Sequence, residues 1–162
     1  MSWLPSLLIV VGTIVGMEVF ATVFHRYFMH GPGWGWHGSH HSERHGLFEL
    51  NDAYAVVFAG ASFGFMLLSL WWPPSFYVGL GLIGYGVLYA VVHDGLVHQR
   101  WPFRHVPRRG YLKRLYQAHK LHHAVRTRDG GVSFGFLYAP QVEGLRAALA
   151  RRRQDSSAGR NS

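Results

Sequence analysis

The chain has 162 residues, a single-domain length with no room for a separate cofactor domain. Apolar residues make up 49% and charged residues only 15%, with 12 His, no Cys, and 16 Lys plus Arg against 8 Asp plus Glu. Such a chain is neither a disordered tail nor an ordinary soluble enzyme, and the missing Cys excludes a disulfide scaffold, a thiolate zinc site, an iron–sulfur cluster and a Cys nucleophile.

The first element is a candidate membrane span from Leu4 to Phe24, interrupted only by Glu18. A signal peptide is disfavoured, because there is no basic segment before it and no small-x-small cleavage site. The pairs Gly12/Gly16 and Gly60/Gly64 permit close helix contact but carry little weight in Gly-rich helices. From Ala53 to Val92, forty residues pass without Lys, Arg, Asp, Glu or His. That is the length of two spans, and Trp71-Trp72-Pro73-Pro74 interrupts it in the middle. The pattern predicts a helical hairpin over about 54–71 and 75–92, with the Trp pair at an interface and Asn51 or Asp52 as N-cap of its first helix.

Counting crossings puts 25–52 and 93–162 on the same side of the membrane. Residues 1–92 hold two basic and four acidic residues, and residues 93–162 hold fourteen basic and four acidic. The basic half makes that side cytoplasmic by the positive-inside rule. Residues 130–140 (GGVSFGFLYAP) are apolar but too short to span, which suggests a re-entrant or interfacial segment. The tail 151–162 reads as disordered and basic, a solvated end rather than a lipid-headgroup contact. The expected fold is therefore all-α: an integral membrane helical bundle of about three spans in one domain, 1–150, with a His-rich metal site at the cytoplasmic helix ends. No nucleic-acid-binding motif accompanies the charge, and no feature sets an oligomeric state.

Ten of the 12 His fall into two ordered copies of one pattern. His25 and His30 precede His37, His40 and His41; His93 and His98 precede His119, His122 and His123. One interfacial His is usually structural, and a His-rich run usually binds metal nonspecifically. Two copies of the same spacing point instead to imidazole ligation. On a helix, positions i, i+3 and i+4 share one face, so His37, His40 and His41 are expected to project together, as are His119, His122 and His123. Residues five apart sit roughly 140° apart on an ideal helix. His25 and His30, and likewise His93 and His98, then either serve different metals or are brought together by a π-bulge. Ten ligands suit two ions with four or five each. His45 and His105 lie outside the pattern and are expected to be bystanders.

Familiar alternatives fail on spacing. There is no H-E-x-x-H, and none of Glu18, Glu43, Glu49 or Glu143 has His three residues on. Carboxylates are better suited to orienting ligand rings through their outer N–H. Glu18 shares a helical stripe with Thr22 and His25 and is the first candidate for that role, with Asp94 and Asp52 as weaker ones.

The stretches GMEVFATVFHRYFMHG (16–31), WGWHGSHHSERHGLFELNDAYAVVFA (34–59), YAVVHDGLVHQRWPFR (89–104), GYLKRLYQAHKLHHAVR (110–126) and GVSFGFLYAP (131–140) resemble the fatty acid hydroxylase and desaturase superfamily. Within it they are most similar to the bacterial β-carotene 3-hydroxylases. The resemblance implies a non-haem di-iron monooxygenase of the cytoplasmic membrane. It implies O2 as co-substrate, electrons from ferredoxin and an NADPH-dependent reductase, and the ten motif His as iron ligands. The implied reaction hydroxylates C3 of β-ionone rings, from β-carotene to β-cryptoxanthin to zeaxanthin, with ketolated rings such as canthaxanthin leading towards astaxanthin. The implied carotenoid would reach the site from the bilayer, and Phe63, Phe65, Tyr85 and Tyr89 are guide candidates, although most such aromatics simply face lipid or other helices. The basic segment 100–128 has topology as its larger cause and docking of an acidic ferredoxin as a second. The rival readings are a sterol or fatty-acid hydroxylase or desaturase of the same superfamily, a non-enzymatic membrane metal-binding or transport protein, and a bis-His haem protein.

Overall fold

The computed structural model describes residues 2–43 and 46–158. Among them every regular element is helical, as the sequence predicts. In chain order these are α1 (Trp3–Phe24), a π-helical turn over His25–Met29, α2 (Trp34–His37) and a 3-10 turn over Gly38–His41. Then come α3 (Asp52–Leu68), α4 (Pro74–Tyr89), a second π-helical segment over Ala90–Val97, α5 (Gly110–His122) and α6 (Val142–Ala158).

The hairpin appears as α3 and α4. Pro74 opens α4 in the first turn, where its missing N–H costs nothing. Trp71 and Trp72 stand 78% and 53% exposed at the bend. Two continuous helices are long and apolar enough to cross a bilayer, Trp3–Met29 with 27 residues and Pro74–Val97 with 24. Only 6% and 22% of their most apolar windows are buried, so their apolar surfaces face outward rather than into a protein core. α3 is apolar but has 17 residues. At about 1.5 Å per residue it falls a turn short of a hydrocarbon core of about 30 Å.

α4 packs against both α1 and α3. The contacts are close because of two glycines about 200° apart on α4. A Cβ on Gly79 would lie 2.8 Å from Met66 Cγ and 2.9 Å from the Ser62 carbonyl on α3; on Gly81 it would lie 2.5 Å from Thr13 Cβ on α1. The Ser62 hydroxyl also donates to the Gly79 carbonyl at 2.8 Å. Gly12, Gly16, Gly60 and Gly64 play no such part, since a Cβ on any of them meets nothing within 4 Å.

Residues 129–141 form an irregular strap beneath α1. Gly130 (φ +92°) and Ser133 (φ +60°) turn it through the left-handed region. Glu18 holds it. Oε1 of Glu18 accepts the backbone N–H groups of Phe136, Leu137 and Tyr138 at 3.0, 3.0 and 2.9 Å, and Oε2 accepts the Tyr85 hydroxyl at 2.9 Å. Four donors thus compensate a carboxylate in an apolar helix. Among the described residues Glu18 therefore reaches no His ring, contrary to expectation: the strap passes between it and the histidines, and its oxygens are engaged there. Tyr111 secures the same strap by donating to the Leu137 carbonyl at 2.6 Å.

α6 packs on α5 through a cluster containing Leu115, Ala118, Val132, Leu145 and Leu149. The helix continues through Arg151–Arg153 to Ala158, where the sequence suggests a disordered tail. The stretch 145–154 is rich in Leu, Ala, Arg and Gln, all good helix formers, and the Arg152 guanidinium reaches back to the Gly131 carbonyl at 2.5 Å. The final four residues of that tail lie outside the described residues.

Glu18→Ala would strip an acceptor from three strap N–H groups, at about 1–3 kcal/mol for each that stays buried. The expected result is a lower unfolding midpoint in detergent and new proteolytic cleavage within 134–140, with Glu18→Gln closer to wild type because it keeps a carbonyl oxygen. An unchanged midpoint and cleavage pattern in Glu18→Ala would show that the strap is held by other contacts.

Candidate metal centre

The two π-helical segments fall on the two His pairs spaced five apart. The His30 N–H donates to the His25 carbonyl at 3.0 Å, and the His98 N–H donates to the His93 carbonyl at 2.9 Å. These i→i+5 bonds bring each pair onto one face, with ring centroids 5.2 Å apart for His25/His30 and 4.5 Å for His93/His98. The π-bulge alternative is the one realised, in both copies.

The ten motif His form two adjacent groups. In one, a ring nitrogen from each of His25, His30, His37, His41 and His122 lies within 4.8 Å of the others; in the second, the same holds for His40, His93, His98 and His119. His123 joins the second group, its Nε2 lying 2.9 Å from His119 Nε2. The triplets are therefore split, contrary to the expectation that each would project onto one ion. His40 leaves the first copy for the second group, and His122 does the reverse. Positions i+3 and i+4 differ by about 100° around a helix, enough for flanking rings to serve two neighbouring centres. Each copy thus lends its middle triplet histidine to the other, which gives the centre an approximate two-fold character.

Orientation of the rings is set from outside. Seven Nδ1–H groups donate to oxygen: His25 to the Phe134 carbonyl, His30 to Arg128, His41 to Val125, His122 to Val132, His37 to Asn51 Oδ1, His40 to Glu49 Oε2 and His93 to Asp94 Oδ1, all at 2.7–3.0 Å. An oxygen acceptor fixes the proton on Nδ1, so the Nε2 lone pairs point inward. There they face one another: His25/His37 at 2.9 Å, His37/His41 at 3.2 Å, His30/His122 at 3.2 Å and His40/His93 at 3.1 Å. Two lone pairs at that distance repel unless a cation lies between them. An ion bound to imidazole nitrogens at about 2.1 Å brings neighbouring ligands to about 3 Å from each other. The donor set is all nitrogen, with carboxylates only behind the rings, and it fits first-row transition metals rather than magnesium or calcium.

The electrostatics favour neutral, ligating imidazoles. Burial, followed by neighbouring rings, holds His37 down to about 2 and His41 to about 4, with the Asn51 and Val125 oxygens opposing the drop. Burial likewise pushes His30, His98, His119, His122 and His123 below the ordinary imidazole range. Glu49 is held below the usual carboxylate range, first by its hydrogen bond with His40.

The remaining candidates take other places. Asp94 meets His93 directly. Among the described residues Asp52 meets no His; it forms a two-pronged pair with Arg100 at 2.7 Å for each oxygen, because Arg100 lies between it and Asp94, 3.6 Å away. Asn51 occupies the N-cap position of α3 but makes no side-chain cap, its oxygen being taken by His37. Asn51 and Glu49 were not legible as ring-orienting groups, since neither stands at a helical spacing from its histidine. His105 is exposed on a loop outside both groups, and His45 lies outside the described residues.

The strap supplies two aromatic walls. The Phe134 ring packs edge-on against His25, His30 and His122 at 5.2–5.4 Å. Phe136, two residues on, stacks on His25 at 5.0 Å and meets His93 edge-on at 5.2 Å, so it touches both groups. Tyr89 stacks on His93 at 4.3 Å.

Glu49→Ala frees the outer nitrogen of His40. The expected loss is about 10–100-fold in metal affinity, measured by chelator competition; unchanged affinity would remove Glu49 from the centre. The metal-free protein has a pH signature as well. Unfolded imidazoles take up a proton near about 6.5, whereas in the fold His41 does so only near 4. The unfolded state then binds more protons across that window, so stability is expected to fall as pH drops from about 6.5 towards 4. Denaturant titrations at stepped pH measure it, and a flat profile would contradict the buried neutral rings.

The fatty acid hydroxylase family profile matches residues 10–139. The chain is 57% identical over 161 residues to the beta-carotene hydroxylase of Pantoea ananas, covering 98% of this chain and 91% of that one. It is 55% identical over 150 residues to the beta-carotene hydroxylase of Paracoccus sp. (strain PC1), covering 91% and 93%. It is 41% identical over 136 residues to the chloroplastic beta-carotene 3-hydroxylase 1 of Arabidopsis thaliana, covering 81% of this chain and 43% of that one. No solved structure matches. With a match over most of its length and both His groups inside the matched region, the chain belongs to the fatty acid hydroxylase family.

Proposed function

We propose that this protein is a carotenoid hydroxylase that adds a hydroxyl group to C3 of each β-ionone ring, taking β-carotene through β-cryptoxanthin to zeaxanthin. The observation that carries the reading is the pair of inward-facing His groups in a chain 57% identical to a beta-carotene hydroxylase along 98% of its length. Ketolated rings, as in canthaxanthin, are a second substrate class of the same chemistry. A sterol or fatty-acid substrate is not favoured, because the similar proteins from Pantoea ananas and Paracoccus are both named for carotene.

The balanced reaction is R–H, O2, two electrons and two protons giving R–OH and water. An unactivated ring C–H offers nothing to a side-chain acid or base, so a redox metal must supply the oxidising power. Two iron ions, one in each His group, would supply O2 activation and the electron pair for hydroxylation. His25, His30, His37, His41 and His122 would hold one; His40, His93, His98, His119 and His123 would hold the other. The chain's own contribution is orientation and exclusion of water. Asn51, Glu49, Asp94 and four backbone carbonyls fix the rings, while Phe134, Phe136 and Tyr89 keep water from the side facing the apolar helices.

The apolar helices suit a membrane protein, which we assign to the cytoplasmic membrane in three crossings, α1, α3 and α4, the exposed apolar bend Leu70, Trp71 and Trp72 making up the turn that α3 lacks, with the histidines on the cytoplasmic side. The positive charge after Val92 supports that orientation. Exposed Arg104, Arg108, Arg109, Lys113, Lys120 and Arg126 on that side suit an acidic ferredoxin, itself reduced through NADPH.

Expression in bacterial cells that accumulate β-carotene is expected to yield zeaxanthin with some β-cryptoxanthin on pigment analysis. Single Ala changes at His37, His40, His119 or His122 are expected to abolish the product and leave membrane insertion intact. No hydroxylated pigment from stably inserted wild type with a working electron supply would overturn the function, and full activity in any His variant would remove that residue from the ligand set.

A further inference from the structure

Between α1, α3 and α4 lies an apolar cavity of about 400 Å3. Exposed Ala55, Ala59 and Val87 frame its outer end, on the face that the bilayer covers. Tyr85, Tyr89 and Phe136 wall its inner end. Phe136 and Tyr89 are the rings that pack on His25 and His93, so one layer of side chains separates the cavity from both His groups.

Small side chains create the space. Ala55 and Ala59 are four apart and share one face of α3. Gly86 lines the opposite side on α4, and a Cβ there would meet nothing within 4 Å. The wall also has little polar character to offer. The hydroxyls of Tyr54, Ser62 and Tyr85 already donate to the Gly33 carbonyl, the Gly79 carbonyl and Glu18, and the carboxylate of Asp94, the charged residue of the lining, is taken up by His93 and Arg100. A ligand here is recognised by shape and apolar surface, and it arrives sideways from the hydrocarbon layer. Cavities that enclose whole small ligands run about 300–1,000 Å3, so this one suits a single ring with a short length of chain.

We propose that this cavity is the binding site for one cyclic end group of a bilayer-dissolved hydrocarbon, which enters ring first between α3 and α4 while the rest of the molecule stays in lipid. The Phe136 ring lies between the bound end group and the His groups and must turn aside for the ring carbon to reach the irons. The assignment rests on the carotenoid-ring reading above and deepens it: the two ends of one substrate must enter in separate visits.

Gly86→Leu tests the site. It fills the cavity without a backbone clash and improves helix propensity. Gly60→Leu is the control: Gly60 is equally open to a Cβ but lies outside the cavity. Two readouts are needed, hydroxylated pigment formed in β-carotene-producing cells and β-carotene retained by the detergent-purified protein without reductant. Gly86→Leu is expected to lose roughly tenfold or more in both, the scale on which overpacking disfavours occupancy, with iron content unchanged; Gly60→Leu is expected to match wild type. If Gly86→Leu matches wild type in both readouts, the cavity is not the site, and the hydroxylase reading stands. If wild type forms no hydroxylated pigment but retains β-carotene and Gly86→Leu does not, the substrate reaction is wrong and the cavity stands. If wild type retains no β-carotene, or if Gly60→Leu loses as much as Gly86→Leu, the site is overturned.

Discussion

Imidazole lone pairs pressed together at 2.9–3.2 Å are the constraint on which the rest of this molecule depends. Neutral rings repel in that arrangement, and protonated rings repel more. The fold imposes it by taking the other nitrogen of seven of the ten rings. Phe134, Arg128, Val125 and Val132 give up backbone carbonyls, and Asn51, Glu49 and Asp94 give up side-chain oxygens. Desolvation then keeps the rings unprotonated, which is the state a metal ion needs. Repulsion stored between ligands is relieved when a cation enters, so metal binding and folding are coupled.

The second dependency runs through the strap. Its backbone supplies the oxygens that orient His25 and His122, with the adjoining Arg128 carbonyl on His30, and its side chains wall the centre on the side of the apolar helices. Glu18 gathers three of its N–H groups and the Tyr85 hydroxyl. A carboxylate deep in an apolar helix thus acts on the histidines at one remove, by holding the segment that holds them. The same strap closes the inner end of the α1–α3–α4 cavity with Phe136, so the architecture of the metal centre and the depth of the cavity are set by one piece of chain.

Much of the centre was legible because its signal is local. The repeated His spacing, the charge-free stretch from Ala53 to Val92 and the Pro-bounded bend all show in the residues themselves, and the all-helical fold follows from them. The π-helical turns were open as one of two alternatives, since a spacing of five is compatible with either. Two things were not legible. The exchange of His40 and His122 between groups depends on how two helices lie side by side, which triplet spacing does not encode. The roles of Asn51, Glu49 and the strap carbonyls depend on contacts across 9–109 residues of sequence, and a carbonyl has no side-chain identity to read. Asn51 was visible as a helix cap, and the structure uses the same residue to hold His37. Glu18 was visible as a costly carboxylate; only the fold shows that backbone amides, not a histidine, compensate it.

The central claim is that the two His groups are two separate metal sites working as one oxygenase centre. The most direct measurement is iron stoichiometry per chain in the detergent-purified protein, loaded anaerobically with ferrous iron, stripped of loosely bound metal and assayed together with protein concentration. The account predicts two irons per chain, one for each group. Saturation at one iron per chain, or iron that washes off completely, would contradict it.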